Sequence, residues 1–206
     1  MTHMNQEREA ARADVLVDLI RHGEPEGGPR YRGFNIDDPL SEKGWQQMWS
    51  AVESAHPWTH IVTSPLRRCR DFAEALGEKH QLPVTVQPNF KEVGFGDWEG
   101  KTKAELQQID LDGFKAFYRD PINHRPEGAE NLDAFRQRVA TAYDEVIAVQ
   151  GGQHLLIVAH AGVIRAIVAH VLSSGPESLY RMAVKNAGIT RIRHGIQGGI
   201  LEFLNV

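Results

Sequence analysis

The chain has 206 residues, 41% of them hydrophobic and 24% charged, with a net charge of −4. A net negative charge gives no global attraction to nucleic acid or to an anionic membrane, so affinity for an anionic substrate has to come from local arginines. The single cysteine, Cys69, excludes an intrachain disulfide and any multi-cysteine metal site.

Residues 1–13 are polar and charged and lack the apolar stretch of a signal peptide, so a flexible N-terminal tail is expected there. No apolar run approaches the length of a membrane span, and cytoplasmic residence fits the cysteine usage. The rest, 14–206, is expected to form a single domain. Strand-like apolar segments follow at 15–20, 60–63, 84–86, 154–159, 189–193 and 200–204. Helical patterns lie between most of them. Ser41 is placed to cap a helix reaching about Ser54. Ser64 followed by Pro65 reads as an N-cap with proline at the first helical position, opening a helix to about His80. Residues 130–149 carry Leu132, Phe135, Val139, Ala142, Val146 and Val149 on one helical face. A helix over 161–172 and a short one from Pro176 complete the series. Strands alternating with helices predict an α/β fold with a mostly parallel sheet. In such folds ligands bind beyond the C-terminal ends of the strands.

That rule selects residues. Arg21, His22, Gly23 and Glu24 directly follow the first strand. Arg binds phosphate oxygens bidentately, and neutral imidazole is a good nucleophile near neutral pH. Attack of His22 on a phosphoryl group held by Arg21 is the simplest chemistry for the set; the alternative is a surface turn after a strand. His160 holds the same kind of position after the strand at 154–159 and opens a helix, either as part of an anion site or as a hydrogen-bonded strand-end histidine. Arg67, Arg68 and Arg70 crowd a helix N-terminus, where the macrodipole favours acids; they face either water or a bound phosphate. Cys69 falls on the apolar stripe of that helix and reads as core. Glu92, near Phe95 and Trp98, is a candidate proton donor to a leaving alkoxide if an apolar pocket raises its pKa, or else an exposed acid in a glycine-rich turn.

Together these segments resemble the histidine phosphatase superfamily, in its phosphoglycerate-mutase-like branch. The resemblance rests on Leu19-Ile-Arg-His-Gly-Glu24, Asp38-Pro-Leu-Ser-Glu-Lys-Gly44, Thr63-Ser-Pro-Leu-Arg-Arg68, Glu92 with Phe95-Gly-Asp-Trp-Glu-Gly100, and Val158-Ala-His-Ala-Gly-Val-Ile-Arg165. It implies a three-layer α/β/α sandwich with a mostly parallel central sheet and a small lid-like insertion at about 95–131. It implies His22 as the nucleophile that becomes phosphohistidine. Arg21, Arg68 and His160 would form the phosphate pocket, and Glu92 would be the general acid and then the base. No metal and no cofactor are implied: His22 and His160 are better explained without one. The partner implied is a small phosphorylated substrate, with no nucleic acid and no membrane, and a homodimer is one assembly open to the chain.

The chain departs from the family after Glu24, where most members carry Thr or Ser and then an asparagine that contacts phosphate. Here Arg30 and Arg32 are the candidate substitutes. The short stretch between Glu92 and His160 favours a phosphatase over a mutase. Residues 31–40, with Gly44-Trp-Gln-Gln-Met48, look most like the alpha-ribazole phosphatase subgroup. A phosphoglycerate mutase and a catalytically idle phospho-ligand or protein-binding module are the alternatives.

Overall fold

A computed structural model describes residues 14–53, 57–149 and 152–206. The expected N-terminal tail and the end of the first helix at Ser54 lie outside the described residues. Six strands form one sheet: β1 (Val15–Arg21), β2 (His60–Thr63), β3 (Val84–Val86), β4 (His154–Ala159), β5 (Ile189–Gly195) and β6 (Gly198–Phe203), in the order β3-β2-β4-β1-β5-β6. The pairings among β3, β2, β4 and β1 are parallel; β5 runs antiparallel to β1, and β6 to β5. The sheet is therefore mostly parallel with an antiparallel hairpin at one edge.

The two central strands explain the layers. Val15, Val17 and Leu19 of β1 and Leu155, Ile157 and Ala159 of β4 pack on one face against α5 (Leu132–Ala148) and α6 (Ala161–Val171). Ile20, Leu156 and Val158 pack on the other face against α1 (Glu42–Val52) and α2 (Arg67–His80). Strands apolar on both faces are what a parallel sheet covered on both sides requires. The result is the expected three-layer sandwich. Between β3 and α5 the chain makes a 3₁₀ turn at Gly96–Trp98 and two short helices, α3 (Lys103–Ile109) and α4 (Leu111–Arg119). A reciprocal Thr102–Glu105 capping box starts α3. Among the described residues no helix is long and apolar enough to cross a membrane.

One boundary differs from the sequence reading. Helix α2 begins at Arg67, with Leu66 as an N-cap that makes no side-chain bond. The Asp37 carboxylate accepts from the Arg67 N–H at 2.7 Å and serves as the cap from a distant loop. Ser64 is thereby released for another contact. The segment after Pro176 is a 3₁₀ turn, Pro176–Arg181, rather than an α-helix.

Candidate active site

Register sets the site. Arg21 pairs with Ala159 across β1 and β4, and the His22 N–H donates to the Ala159 carbonyl at 3.0 Å. His22 and His160 therefore leave neighbouring parallel strands side by side, with ring centroids 5.2 Å apart and the rings edge to face. Both are buried. A side chain at Gly23 would put its Cβ 2.2 Å from the Gly44 carbonyl oxygen, so only glycine lets the first turn of α1 approach here.

The protonation of His22 can be read from its partner. Its Nδ1 lies 2.7 Å from the Gly23 carbonyl oxygen. A carbonyl only accepts, so Nδ1 carries the proton and Nε2 of the neutral ring has the free lone pair. Burial, then the charges of Arg21 and Arg68, drive the His22 pKa well below its ordinary value. His160 is held neutral in the same direction, first by burial and then by Arg68. Its Nε2 lies 2.6 Å from the Ser64 hydroxyl.

The two inner arginines are anchored by carbonyls and left with unused donors. Arg21 donates through Nη1 to the Val184 carbonyl at 2.7 Å. Arg68 donates to the carbonyls of Ile36 and Gly33 at 2.9 and 2.8 Å. The Nε of each is buried and has no hydrogen-bond partner among the described residues. Burial, partly offset by Glu92, brings the Arg21 pKa down to about 10, which still leaves it charged at neutral pH. Two guanidinium groups with spare N–H donors, Arg68 buried and Arg21 half-buried, suit an anion with several oxygens. Arg67 and Arg70 turn outward to Asp71 and Glu74, so of the three arginines in the segment only Arg68 enters the site. Cys69 is buried in the α1/α2 core, as its stripe implies.

Glu92 accepts from the Val93 N–H at 3.0 Å and, at the start of α6, from the Gly162 N–H at 3.2 Å. A Cβ at Gly162 would fall 2.3 Å from Glu92 Oε1, so glycine makes room for the carboxylate. Arg21, His22, Arg68 and Glu92 all line a cavity of about 340 Å³. His160 stands behind its wall and is not among its lining residues.

Arg30 and Arg32 have different fates. Arg32 is buried, lines the same cavity and spans the loop after β1. It donates to Asp38 at 2.8 Å, to the Gly28 carbonyl at 2.8 Å and to the Glu26 carbonyl. Those contacts consume most of its donors in shaping the loop. Arg30 is exposed at the cavity rim, with Nε and Nη2 folded onto the Gly27 carbonyl. Of the aromatic residues in the insertion, Trp98, Phe114 and Phe117 pack on one another, Trp98 stacking on Phe114 at 5.5 Å. Tyr118 reaches the cavity, and the sequence reading missed Tyr31, Tyr180, Arg165 and Asn186 beside it. Tyr31 and Tyr118 share a 2.5 Å bond between hydroxyls that joins the loop after β1 to α4. Arg165 lies inside a motif noted from the sequence, and Tyr31 heads the segment 31–40 noted for its subgroup likeness; Tyr180 gave no signal that would separate it from a core tyrosine. Among the described residues no group of three or more His, Cys, Asp or Glu side chains is arranged to hold a metal ion.

Comparison with known proteins identifies the family. Residues 17–206 match the model of the histidine phosphatase superfamily, branch 1. The chain is 32% identical over 172 residues to the adenosylcobalamin/alpha-ribazole phosphatase of Salmonella typhimurium strain LT2, covering 81% of this chain and 84% of the relative. The solved alpha-ribazole phosphatase of Shigella flexneri superposes with a TM-score of 0.79 at 28% identity, covering 93% of this chain and 96% of that one. A mycobacterial glucosyl-3-phosphoglycerate phosphatase in complex with VO3 superposes with a TM-score of 0.82 at 29% identity, covering 95% of this chain and 100% of that one. The chain belongs to the histidine phosphatase superfamily, in its phosphoglycerate-mutase-like branch, and is a hydrolase of the histidine phosphatase type.

Proposed function

We propose that this protein hydrolyses a small phosphate monoester by passing the phosphoryl group first to Nε2 of His22 and then to water. The observation that carries this reading is the His22 Nδ1 to Gly23 carbonyl bond, which leaves the Nε2 lone pair free to act as a nucleophile. In the first step the Nε2 lone pair forms a P–N bond as the ester P–O bond breaks. The leaving oxygen takes a proton from Glu92. In the second step Glu92 takes a proton from water, the water oxygen attacks phosphorus, and the P–N bond returns its electron pair to Nε2. Arg21 and Arg68, through guanidinium N–H groups that their carbonyl anchors leave free, hold the phosphoryl oxygens, and His160, whose ring lies against that of His22, completes that pocket. Each such donor contributes on the order of a hundredfold to a thousandfold in rate when it is aimed at the transition state.

These arginines supply the positive charge that a metal supplies in other phosphatases. Activity is expected to survive exhaustive EDTA treatment, and vanadate, carried by the mycobacterial relative, is expected to inhibit. Loss of activity on chelation with recovery on adding zinc or magnesium contradicts the scheme.

Within this reaction, α-ribazole 5′-phosphate is the substrate proposed first. The likeness to alpha-ribazole phosphatases supports it. So do Tyr31, Tyr118 and Tyr180 on the cavity wall, since their rings can stack on a planar base such as a benzimidazole. A second reading is a leaving group that itself carries a negative charge. Arg30 and Lys103 favour it, because both reach the cavity without a carboxylate partner among the described residues. Steady-state kinetics on α-ribazole phosphate, 3-phosphoglycerate and a glucosyl phosphoglycerate decide between them. A higher kcat/KM for either phosphoglycerate, or mutase activity with 2,3-bisphosphoglycerate, removes the α-ribazole assignment and leaves the phosphohistidine chemistry intact.

A further inference from the structure

Ser64 sits where the sequence suggests a helix cap, yet Asp37 does the capping. The Ser64 hydroxyl instead lies 2.6 Å from His160 Nε2, with both side chains fully buried. The same oxygen accepts from the Leu66 N–H at 3.2 Å. Its backbone is pinned separately, because the Ser64 N–H donates to the Val158 carbonyl at 3.0 Å. The hydroxyl is thus held on rigid backbone at the end of β2 and aimed at one nitrogen of one histidine.

We propose that Ser64 is a positioning residue that fixes the proton of His160 on Nδ1. The inference rests on the reading above, in which His160 helps hold the phosphoryl group. A neutral imidazole has one proton and two nitrogens. With the Leu66 N–H occupying one lone pair of Ser64, the hydroxyl hydrogen is free to point at His160 Nε2. Nε2 is then the acceptor and Nδ1 the donor. Nε2 is already taken, so any contact with a phosphoryl group on His22 is made through Nδ1. The opposite tautomer would present a lone pair to phosphoryl oxygens and repel them. A protonated ring would satisfy both nitrogens, but burial and the neighbouring arginines oppose it. The choice of tautomer therefore falls to the neighbour of Nε2. Cys69, whose sulfur is 3.6 Å from Nε2 and 3.7 Å from Nδ1, is a much weaker partner for either nitrogen and directs its thiol to the Ala159 carbonyl.

The direct test is long-range ¹H–¹⁵N correlation on the ¹⁵N-labelled full chain, which separates the two neutral tautomers of each histidine. His160 is expected as the Nδ1–H form in the wild type. An Nε2–H form there overturns the proposal without any variant. Ser64→Ala is expected to shift His160 toward Nε2–H. It should lower kcat/KM on p-nitrophenyl phosphate by roughly tenfold or more, as for other histidines held in the wrong tautomer. Made in a His160→Ala background, the same change should cost nothing further. An equal loss in both backgrounds, or wild-type kinetics and tautomer in Ser64→Ala, rejects it. If His160→Ala is itself fully active, the role given to His160 under the proposed function fails instead, which is a separate outcome.

Discussion

At the residue scale, His22 is set by burial and by the positive charges beside it, and that fixes the pH behaviour. Burial and the guanidinium groups of Arg21 and Arg68 lower its pKa, so the ring stays neutral and nucleophilic below its usual titration range. The acid limb of kcat/KM, which reports the free enzyme, is therefore expected below pH 6.5. Arg68→Gln removes one opposing charge, so the acid limb should move up in pH as overall activity falls. A pH–rate profile of this variant superimposable on the wild type in shape would contradict the assignment. Glu92→Gln should hurt alkyl phosphates far more than p-nitrophenyl phosphate, because p-nitrophenolate leaves without a proton; equal losses on both would remove Glu92 as the acid. The residues proposed for the chemistry were legible in the sequence because each follows a strand or sits in a short motif. The wall was not. Tyr31 and Tyr180 reach the cavity from distant segments, and that meeting depends on how the insertion packs. Arg32 was legible as a charge near the site but not as a loop staple, since its partners are mostly backbone carbonyls.

At the element scale, the β1–β4 register and the start of α6 do most of the positioning. Gly162 lets the first turn of α6 meet Glu92, and the clash its Cβ would make is with that carboxylate and with Val93. Gly162→Ala is therefore expected to keep the fold, with Tm near the wild type because alanine favours a helix. Its kcat should nonetheless fall at least about tenfold, as expected when a reacting group is displaced. A full kcat with a lowered Tm would mean that the glycine serves packing alone. The insertion holds together through Trp98, Phe114 and Phe117, with Phe117 fully buried. Phe117→Ala should cost about 3–5 kcal/mol in that cluster by cavity formation, measurable by urea unfolding. The pattern of helices was readable from periodicity, but the start of α2 was not. Ser64 and Pro65 form a good local cap, and a tertiary contact from Asp37 overrides it.

At the scale of the whole molecule, the alternation of strands and helices announced the layers, but not the strand order or the antiparallel hairpin at the edge. The sequence likewise gave no sign that Asp18, in the middle of an apolar strand, is a junction. It accepts from Trp58 at 2.9 Å, His154 at 2.9 Å and Arg191 at 2.7 Å, tying β1 to β4, β5 and the segment before β2. Burial pushes the Asp18 carboxyl up, but those hydrogen bonds outweigh it and hold it at about 2. A carboxylate depressed in the folded state adds stability above its unfolded pKa, and that stability is lost as the pH falls through the folded one. The contribution is about 2 kcal/mol, present above roughly pH 4 and fading toward pH 2. Asp18→Asn should flatten the acid side of the stability profile, and an unchanged profile would show that the junction does not couple to folding. The central step of the proposed reaction is the phosphoryl group resting on His22. Rapid quench of the wild-type protein with ³²P-labelled substrate should trap an acid-labile, base-stable phosphoenzyme, absent in His22→Ala together with nearly all turnover. No phosphoenzyme in the wild type, with turnover intact in His22→Ala, would contradict it.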